Sequence, residues 1–203
     1  MDEVMRRTII PMMLLGDAEV GKSSLILRIT GNKFDETILS TIGKGSYSYE
    51  IVLHGYKLKM KIWDTAGQER FKSMSLNAVK NVDGLLLVYS IANRESFNNL
   101  EAWLSQLNDV TDLKKKPVVI IGNKKDLEST REVEFNEGKE FADSHNLHFY
   151  EVSAKTGENV QEAFNDIFEQ LYNIFEEEIT GKKKYEKNET LNDVKKHKKK
   201  KFC

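Results

Sequence analysis

Residues 16–23 read Gly-Asp-Ala-Glu-Val-Gly-Lys-Ser, which fits the phosphate-binding pattern G-x-x-x-x-G-K-[ST]. An apolar run at residues 9–15 precedes the pattern, and a helix-like run at residues 24–30 follows it. This order of strand, loop and helix is the context that the pattern requires. A glycine turn that matches by chance is the alternative, and the flanking runs argue against it. The sequence therefore predicts that a nucleoside triphosphate binds between a strand and a helix.

The residue types in this loop suit the phosphates of such a ligand. Glycines allow the loop to close, so that its backbone N–H groups converge on an anion. The following helix adds the partial positive charge of its N-terminus. Lys22 can reach the β- and γ-phosphates, and the Ser23 hydroxyl can hold Mg²⁺. We expect the nucleotide to contact Gly16, Ala18, Glu19, Val20, Gly21, Lys22, Ser23 and Ser24.

The charge of the chain is unevenly distributed. Residues 182–203 carry ten lysines against three acidic residues, a net of +7, which leaves −8 for the rest of a chain whose overall charge is −1. An acidic body argues against nucleic acid as the main partner, whereas a basic tail suits an anionic surface. The single cysteine, Cys203, allows no disulfide within the chain and favours a reducing compartment.

Strand-like and helix-like segments alternate along residues 1–180 of the 203-residue chain, and we interpret this part as one domain. The short link His54-Gly55 predicts an antiparallel hairpin, and strands separated by helices predict parallel pairing elsewhere. The expected fold is α/β, with a six-stranded, mostly parallel sheet and helices on both faces. Residues 181–203 lack the pattern and are predicted to be a disordered basic tail. We expect strands at 8–15, 47–53, 57–63, 84–89, 118–122 and 148–152, and helices at 22–30, 71–80, 95–109, 134–144 and 160–174.

A second motif, Asp-Thr-Ala-Gly-Gln-Glu at residues 64–69, follows the strand that ends at Trp63. A carboxylate at Asp64 is well placed to bind Mg²⁺, directly or through water. Gly67 lets its N–H approach a γ-phosphate closely, and Gln68 could orient an attacking water. Taken alone the motif could be a strand-end turn, but its combination with a phosphate loop favours nucleotide hydrolysis.

A third motif, Asn-Lys-Lys-Asp at residues 123–126, follows another apolar strand. The Asp126 carboxylate matches the N1–H and exocyclic amine of guanine, a donor pair that adenine lacks. The stem of Lys124 can cover one face of a base. Residues Ser153, Ala154 and Lys155 follow the last strand, where the Ala154 N–H could meet the guanine O6. With Asn123, these residues form the expected base-binding set.

In this order the motifs resemble those of Ras-superfamily small GTPases, which are P-loop NTPases with a small G domain. The resemblance covers about residues 8–178, and the stretch 61–71, KIWDTAGQERF, is most similar to the Rab branch. It implies that Thr41 closes over Mg²⁺ and the γ-phosphate. It also implies that Phe34 covers the guanine, although a hydrophobic anchor under its loop is the alternative for Phe34.

The resemblance implies a GTP-hydrolysing switch that cycles between GTP- and GDP-bound states and regulates vesicle trafficking. Gln68, Lys22 and Thr41 are the catalytic residues in this interpretation, and Ser23, Thr41 and Asp64 are the metal ligands. Turnover should be slow until an activating protein supplies an arginine. Exchange factors, activating proteins and effectors are expected to bind residues 34–46 and 64–80. A weakly hydrolysing GTP-binding scaffold and a Ras-like signalling GTPase are the alternatives.

Several positions depart from the Rab pattern. Glu19 stands where a small residue is usual, so a carboxylate beside the phosphates could weaken binding and speed exchange; a solvent-facing Glu19 with little effect is the alternative. Of the aromatic triad that Rab effectors contact, only Trp63 remains, because Ser46 and Ala78 occupy the other positions. The usual effectors are therefore not expected.

The C-terminus ends in a lysine cluster and Cys203. The resemblance implies geranylgeranylation of Cys203 and attachment to the cytosolic face of an endomembrane, since a lipid plus a basic cluster makes a two-signal anchor. Rab chains usually end with two cysteines, and no C-a-a-X box is present here. An unmodified thiol on a solvated tail is the alternative.

Overall fold

The computed structural model describes residues 7–31, 46–64 and 78–181. The six strands are β1 (Ile9–Leu15), β2 (Tyr47–Leu53), β3 (Tyr56–Trp63), β4 (Gly84–Ser90), β5 (Val118–Asn123) and β6 (His148–Glu151). The α-helices in these ranges are α1 (Lys22–Ile29), α2 (Arg94–Asn98), α3 (Leu100–Val110), α4 (Phe135–Ser144) and α5 (Val160–Thr180).

The strands form one sheet in the order β2-β3-β1-β4-β5-β6. Strands β2 and β3 pair antiparallel, and the other neighbours pair parallel. The turn of the β2–β3 hairpin has φ 48° at His54 and φ 85° at Gly55. Two successive positive φ values define the turn type whose twist matches that of the flanking strands. The predicted hairpin and the mostly parallel sheet are confirmed.

Helices cover both faces of the sheet, because its strands send alternate side chains to two separate cores. In β1, Met12 and Leu14 pack with α1 and α5, whereas Met13 and Leu15 pack with α3 and α4. Every residue of β4 and β5 is buried. This burial on both sides explains why these strands read as continuous apolar runs. The arrangement brings the ends of β1, β3, β4 and β5 to one edge of the sheet.

Two helices differ from their predicted bounds by more than one residue. The segment predicted at 95–109 forms two helices, although Asn99 between them keeps a near-helical φ of −75° and ψ of −10°. Helix α5 continues to Thr180 because Ile179 and Thr180 are buried, and because the Arg7 N–H donates to the Glu178 carbonyl oxygen at 3.0 Å. Most of the helix predicted at 71–80, and the tail after Gly181, lie outside the described residues.

Candidate nucleotide-binding site

The loop between β1 and α1 is pressed against the neighbouring strands at its two glycines. Gly16 has φ 134°, and a Cβ there would lie 2.0 Å from the Val88 carbonyl oxygen. Gly21 has φ 94°, and a Cβ there would lie 2.3 Å from Asn123 Nδ2. Neither position has room for a larger residue, and both φ values favour glycine. The conformation of the phosphate loop is thus set by β4 and β5.

Lys22 lies at the N-terminus of α1 with only 5% of its surface exposed. Its ammonium donates to the carbonyl oxygens of Gly16 at 3.0 Å and Asp17 at 2.6 Å. An ammonium has three donors, so the third can be offered to a phosphate. Burial lowers the pKa of Lys22 to about 8, against the opposing effect of the nearby Asp64 and Asp17 carboxylates. Anionic phosphates would restore the charged form.

The other residues of the loop differ in exposure. Ala18 and Glu19 are exposed, and Val20 is buried. The N-cap residue of α1 is Gly21, which has no side chain to cap the helix, and a helix N-terminus of this kind suits an anion. Ser23 and Ser24 lie in this first turn and are partly exposed. Glu19 has φ 62°, in the left-handed region that glycine adopts more readily.

Asp64 follows directly after β3 and lies close to the loop. Both of its carboxylate oxygens are buried, and its charge opposes the lowering of the Lys22 pKa. Burial raises the pKa of Tyr47, and the Asp64 charge adds to this shift. A buried carboxylate near Lys22 and the hydroxyl of the next residue, Ser23, are hard oxygen donors, which Mg²⁺ prefers. Ser23 and Asp64 therefore fit the predicted metal, whereas the third predicted ligand, Thr41, lies outside the described residues.

Asn123, at the end of β5, connects three parts of the site. Its Nδ2 donates to the Val20 carbonyl oxygen at 2.8 Å, and its Oδ1 accepts from the Ala154 N–H at 3.1 Å. The side chain is almost fully buried, at 1% exposure. The sequence predicted that Asn123 contacts the nucleotide, but it did not reveal that Asn123 joins the phosphate loop to the Ala154 loop. The Ala154 N–H already has an acceptor, so a guanine O6 would have to share it.

Asp126 is held in place by Ser153. The buried Ser153 hydroxyl donates to Asp126 Oδ1 at 2.6 Å and accepts from the Thr156 N–H at 3.0 Å. The Ser153 hydroxyl therefore orients the Asp126 carboxylate. Because Asp126 itself is exposed, the carboxylate remains accessible to a ligand. Lys124 precedes it with φ 68°, a left-handed conformation that turns the chain after β5. The structure thus brings Lys124, Asp126 and Ser153 together as predicted.

Two arginines that the sequence analysis did not single out support these loops. Arg28 Nε, from α1, donates to the Ala154 carbonyl oxygen at 2.8 Å, and the same guanidinium contacts the carbonyl of the exposed Lys155. Arg131 pairs with the buried Glu151 through two bonds of 2.7 and 2.8 Å. These partners are 126 and 20 residues apart in the chain. No local sequence pattern reports such contacts.

The partner-binding face is only partly described. Trp63 is half-buried, with the Lys61 ammonium 4.7 Å from the centre of its ring. Ser46 is exposed, and Ala78 packs against the core on the α3 side of the sheet. The other predicted site residues, Phe34, Thr41, Gly67, Gln68 and Cys203, lie outside the described residues.

Comparison with known proteins matches the whole region that carries these motifs. The model of the Ras family matches residues 11–173. The chain is 41% identical over 160 residues to the Ras-related protein Rab-11B of Dictyostelium discoideum, covering 79% of this chain and 72% of that protein. It is 39% identical over 164 residues to Rab-18-B of Danio rerio (81% and 80% covered), and 38% identical over 164 residues to Rab-18 of Lymnaea stagnalis (81% of each). In the described ranges, no helix is both long and apolar enough to cross a membrane.

Proposed function

The chain belongs to the Ras family of small GTPases, in its Rab branch, and is therefore a GTP-hydrolysing switch of vesicle trafficking; on this premise we propose how its own residues bind and use the nucleotide. The observation that carries the proposal is the Asn123 side chain, which ties the phosphate loop at Val20 to the base-side loop at Ala154. One buried amide thus fixes the distance between the two ends of a nucleotide site.

We assign binding of the phosphates to the loop and to Lys22, whose ammonium is held by two loop carbonyls. The guanine ring lies against the stem of Lys124, and its N1–H and amine donate to Asp126, which Ser153 orients. Ser23 and Asp64, with Thr41, would hold Mg²⁺, and the ion would supply neutralisation of the phosphate charge. Phe34 covers the open side of the base.

Hydrolysis requires a positioned water and stabilisation of the transferring phosphoryl group. We propose that Gln68 orients the water, while Lys22 and the loop N–H groups stabilise the developing charge. Thr41 and Gly67 contact the γ-phosphate and release their segments after hydrolysis, which gives the switch its two states. No arginine lies in the phosphate loop, so turnover is slow until an activating protein supplies one.

Calorimetry with the nucleotide-stripped chain tests the guanine assignment. GTP should bind at least about a thousandfold more tightly than ATP, because adenine lacks the N1–H and amine donor pair that Asp126 accepts, and a site built to hydrogen-bond such a pair rejects an analogue without it. Asp126→Ala should abolish this preference, whereas Asp109→Ala, at an exposed position of α3, should preserve it. Equal competition by ATP and GTP in the wild-type chain would overturn the proposal.

Single-turnover hydrolysis separates the switch from the scaffold alternative. The wild-type chain should convert bound GTP to GDP, and Gln68→Leu should slow this step at least about tenfold if the glutamine positions the water. A wild-type chain that binds GTP without converting it would favour the scaffold.

For partners, we propose exchange factors, activating proteins and effectors that bind residues 34–46 and 64–80. Ser46 and Ala78 remove two aromatic contacts from this face, so the effectors differ from those of typical Rab proteins. We further propose that the basic tail and a prenyl group on Cys203 hold the chain on the cytosolic face of an endomembrane. Mass spectrometry of the natural C-terminus tests the lipid: a mass equal to the unmodified sequence would exclude it.

A further inference from the structure

The side chain of Asp17, the second residue of the phosphate loop, is bound on both of its oxygens at the start of helix α3, by Trp103 in the helix and by its N-cap residue Asn99. Trp103 Nε1 donates to Oδ1 at 2.8 Å, and Asn99 Nδ2 donates to Oδ2 at 2.7 Å. The carboxylate is thus engaged by two N–H donors although it belongs to a loop that must receive anionic phosphates. None of the nucleotide roles assigned above uses this contact.

The two donors are held rigidly. Asn99 and Trp103 are four residues apart, and the Trp103 N–H donates to the Asn99 carbonyl oxygen at 3.0 Å, so both side chains lie on one face of the helix. The Trp103 side chain is 4% exposed and packs in the core between α3 and the sheet. The helix is anchored on the same core by Leu100, Leu104 and Leu107, each at most 3% exposed.

The same residue contacts Lys22 through its backbone, because the Asp17 carbonyl oxygen accepts from the Lys22 ammonium at 2.6 Å. The side chain of Asp17 therefore contacts α3 and its N-cap, while the main chain of the same residue contacts Lys22. A displacement of Asp17 would move one of the two carbonyls that hold the Lys22 ammonium.

We infer that Asp17, Asn99 and Trp103 form a clamp through which helix α3 positions the phosphate loop and sets the rate of nucleotide release. Asp17 is a positioning residue, since it acts through the loop and through Lys22. The clamp also directs the Asp17 carboxylate into hydrogen bonds with α3, which reduces its repulsion of the bound phosphates. This inference rests on the proposed phosphate site.

Release of a fluorescent GDP analogue from the loaded full-length chain tests the clamp. In Asp17→Asn, the introduced amide has only one acceptor oxygen, so its NH₂ must face the N–H of either Asn99 or Trp103. We therefore expect GDP release to become roughly ten- to a hundredfold faster, which is the range for the loss of a hydrogen bond to a charged group. In the double variant Asp17→Asn/Asn99→Asp, the amide introduced at position 17 donates to the carboxylate introduced at position 99. Release should then return to within about threefold of wild type, because the pair is restored with reversed polarity.

A purely structural role makes a different prediction. Gly138→Ala, which disturbs the packing of α4 against Tyr89 and Phe149, should lower the melting temperature without changing GDP release. Trp103→Phe, which removes the N–H donor together with part of the ring that packs in the core, should speed release in the same direction as Asp17→Asn. Wild-type release in Asp17→Asn, or a double variant as fast as the single one, would overturn the clamp. A wild-type chain that fails to bind GDP would instead overturn the proposed function.

Discussion

At the scale of single residues, Lys22 shows how the site depends on its ligand. The ammonium is buried and bound by two carbonyls, and the carboxylates of Asp64 and Asp17 only partly compensate for the lost hydration. Its pKa is consequently about 8 in the protein without nucleotide. Bound phosphates favour the charged form, so the pKa rises on binding.

We therefore predict that nucleotide binding takes up protons near pH 8. A group whose pKa is raised on binding contributes fully below its free-state pKa, and this contribution is lost progressively as pH rises from the free-state value to the bound-state value. With a pKa of about 8, GDP affinity should fall about fourfold from pH 7 to pH 8.5, and uptake should be about half a proton at pH 8. Calorimetry in two buffers of different ionisation enthalpy measures this uptake, and no uptake anywhere between pH 7 and pH 8.5 would contradict the prediction.

Glu19 is the second residue whose chemistry can be tested alone. It is exposed and has φ 62°, so both its charge and its backbone conformation differ from those of a glycine at that position. Glu19→Gly should slow GDP release about two- to fivefold, the range expected for one exposed charge interaction. Glu19→Gln is the matched control: if charge is the cause, it should slow release as much as Glu19→Gly does. Equal rates in all three chains would leave Glu19 as a solvent-facing residue without effect.

At the scale of elements, α4 packs against the sheet at one glycine. A Cβ at Gly138 would lie 2.5 Å from Tyr89 Oη and 2.6 Å from Phe149 Cζ. Gly122 in β5 faces the same tyrosine, with a Cβ position 2.8 Å from its hydroxyl oxygen. The two glycines make room for a tyrosine that is fully buried between the helix and the strand. Close packing of this helix therefore depends on residues without side chains.

Gly138→Ala should consequently destabilise the protein, even though alanine is the better helix former by about 1 kcal/mol. Overpacking of a tight contact costs about 1–3 kcal/mol, so after the gain in helix propensity we expect a net loss of up to about 2 kcal/mol in the free energy of unfolding. Chemical denaturation of the GDP-loaded chain measures it. Asn136→Ala, two residues before Gly138 and at an exposed position, should change the free energy of unfolding by less than about 0.5 kcal/mol. A Gly138→Ala variant more stable than wild type would show that the neighbouring rings move at no cost.

At the scale of the whole molecule, the body of the chain is acidic and its tail is basic. The net charge of −8 lies on the part of the chain that contains the fold, and the net +7 lies on residues 182–203. We interpret the body as the nucleotide switch and the tail as the membrane contact. This interpretation predicts that nucleotide binding and membrane binding can be separated by removing the tail.

Removal of residues 182–203 should leave GDP affinity and melting temperature unchanged, because α5 is already complete at Thr180 and ends at Gly181. Binding to vesicles that contain an anionic lipid should be lost, since each lysine near such a surface contributes up to about 1 kcal/mol. Vesicle sedimentation measures this, with neutral vesicles and high salt as controls. Retained binding of the truncated chain would place the membrane contact on the body.

The sequence alone predicts the order of the strands, the hairpin at His54-Gly55, and the motifs at the ends of β1, β3 and β5. These are local properties: hydrophobic periodicity, glycine at positive φ, and residue types at fixed spacing. Other contacts emerge only from the folded chain: Asn123 joins Val20 to Ala154, Ser153 orients Asp126, and Trp103 binds Asp17. These partners lie 103, 31, 27 and 86 residues apart, respectively, and become neighbours only because parallel strands bring their carboxyl ends to one edge of the sheet.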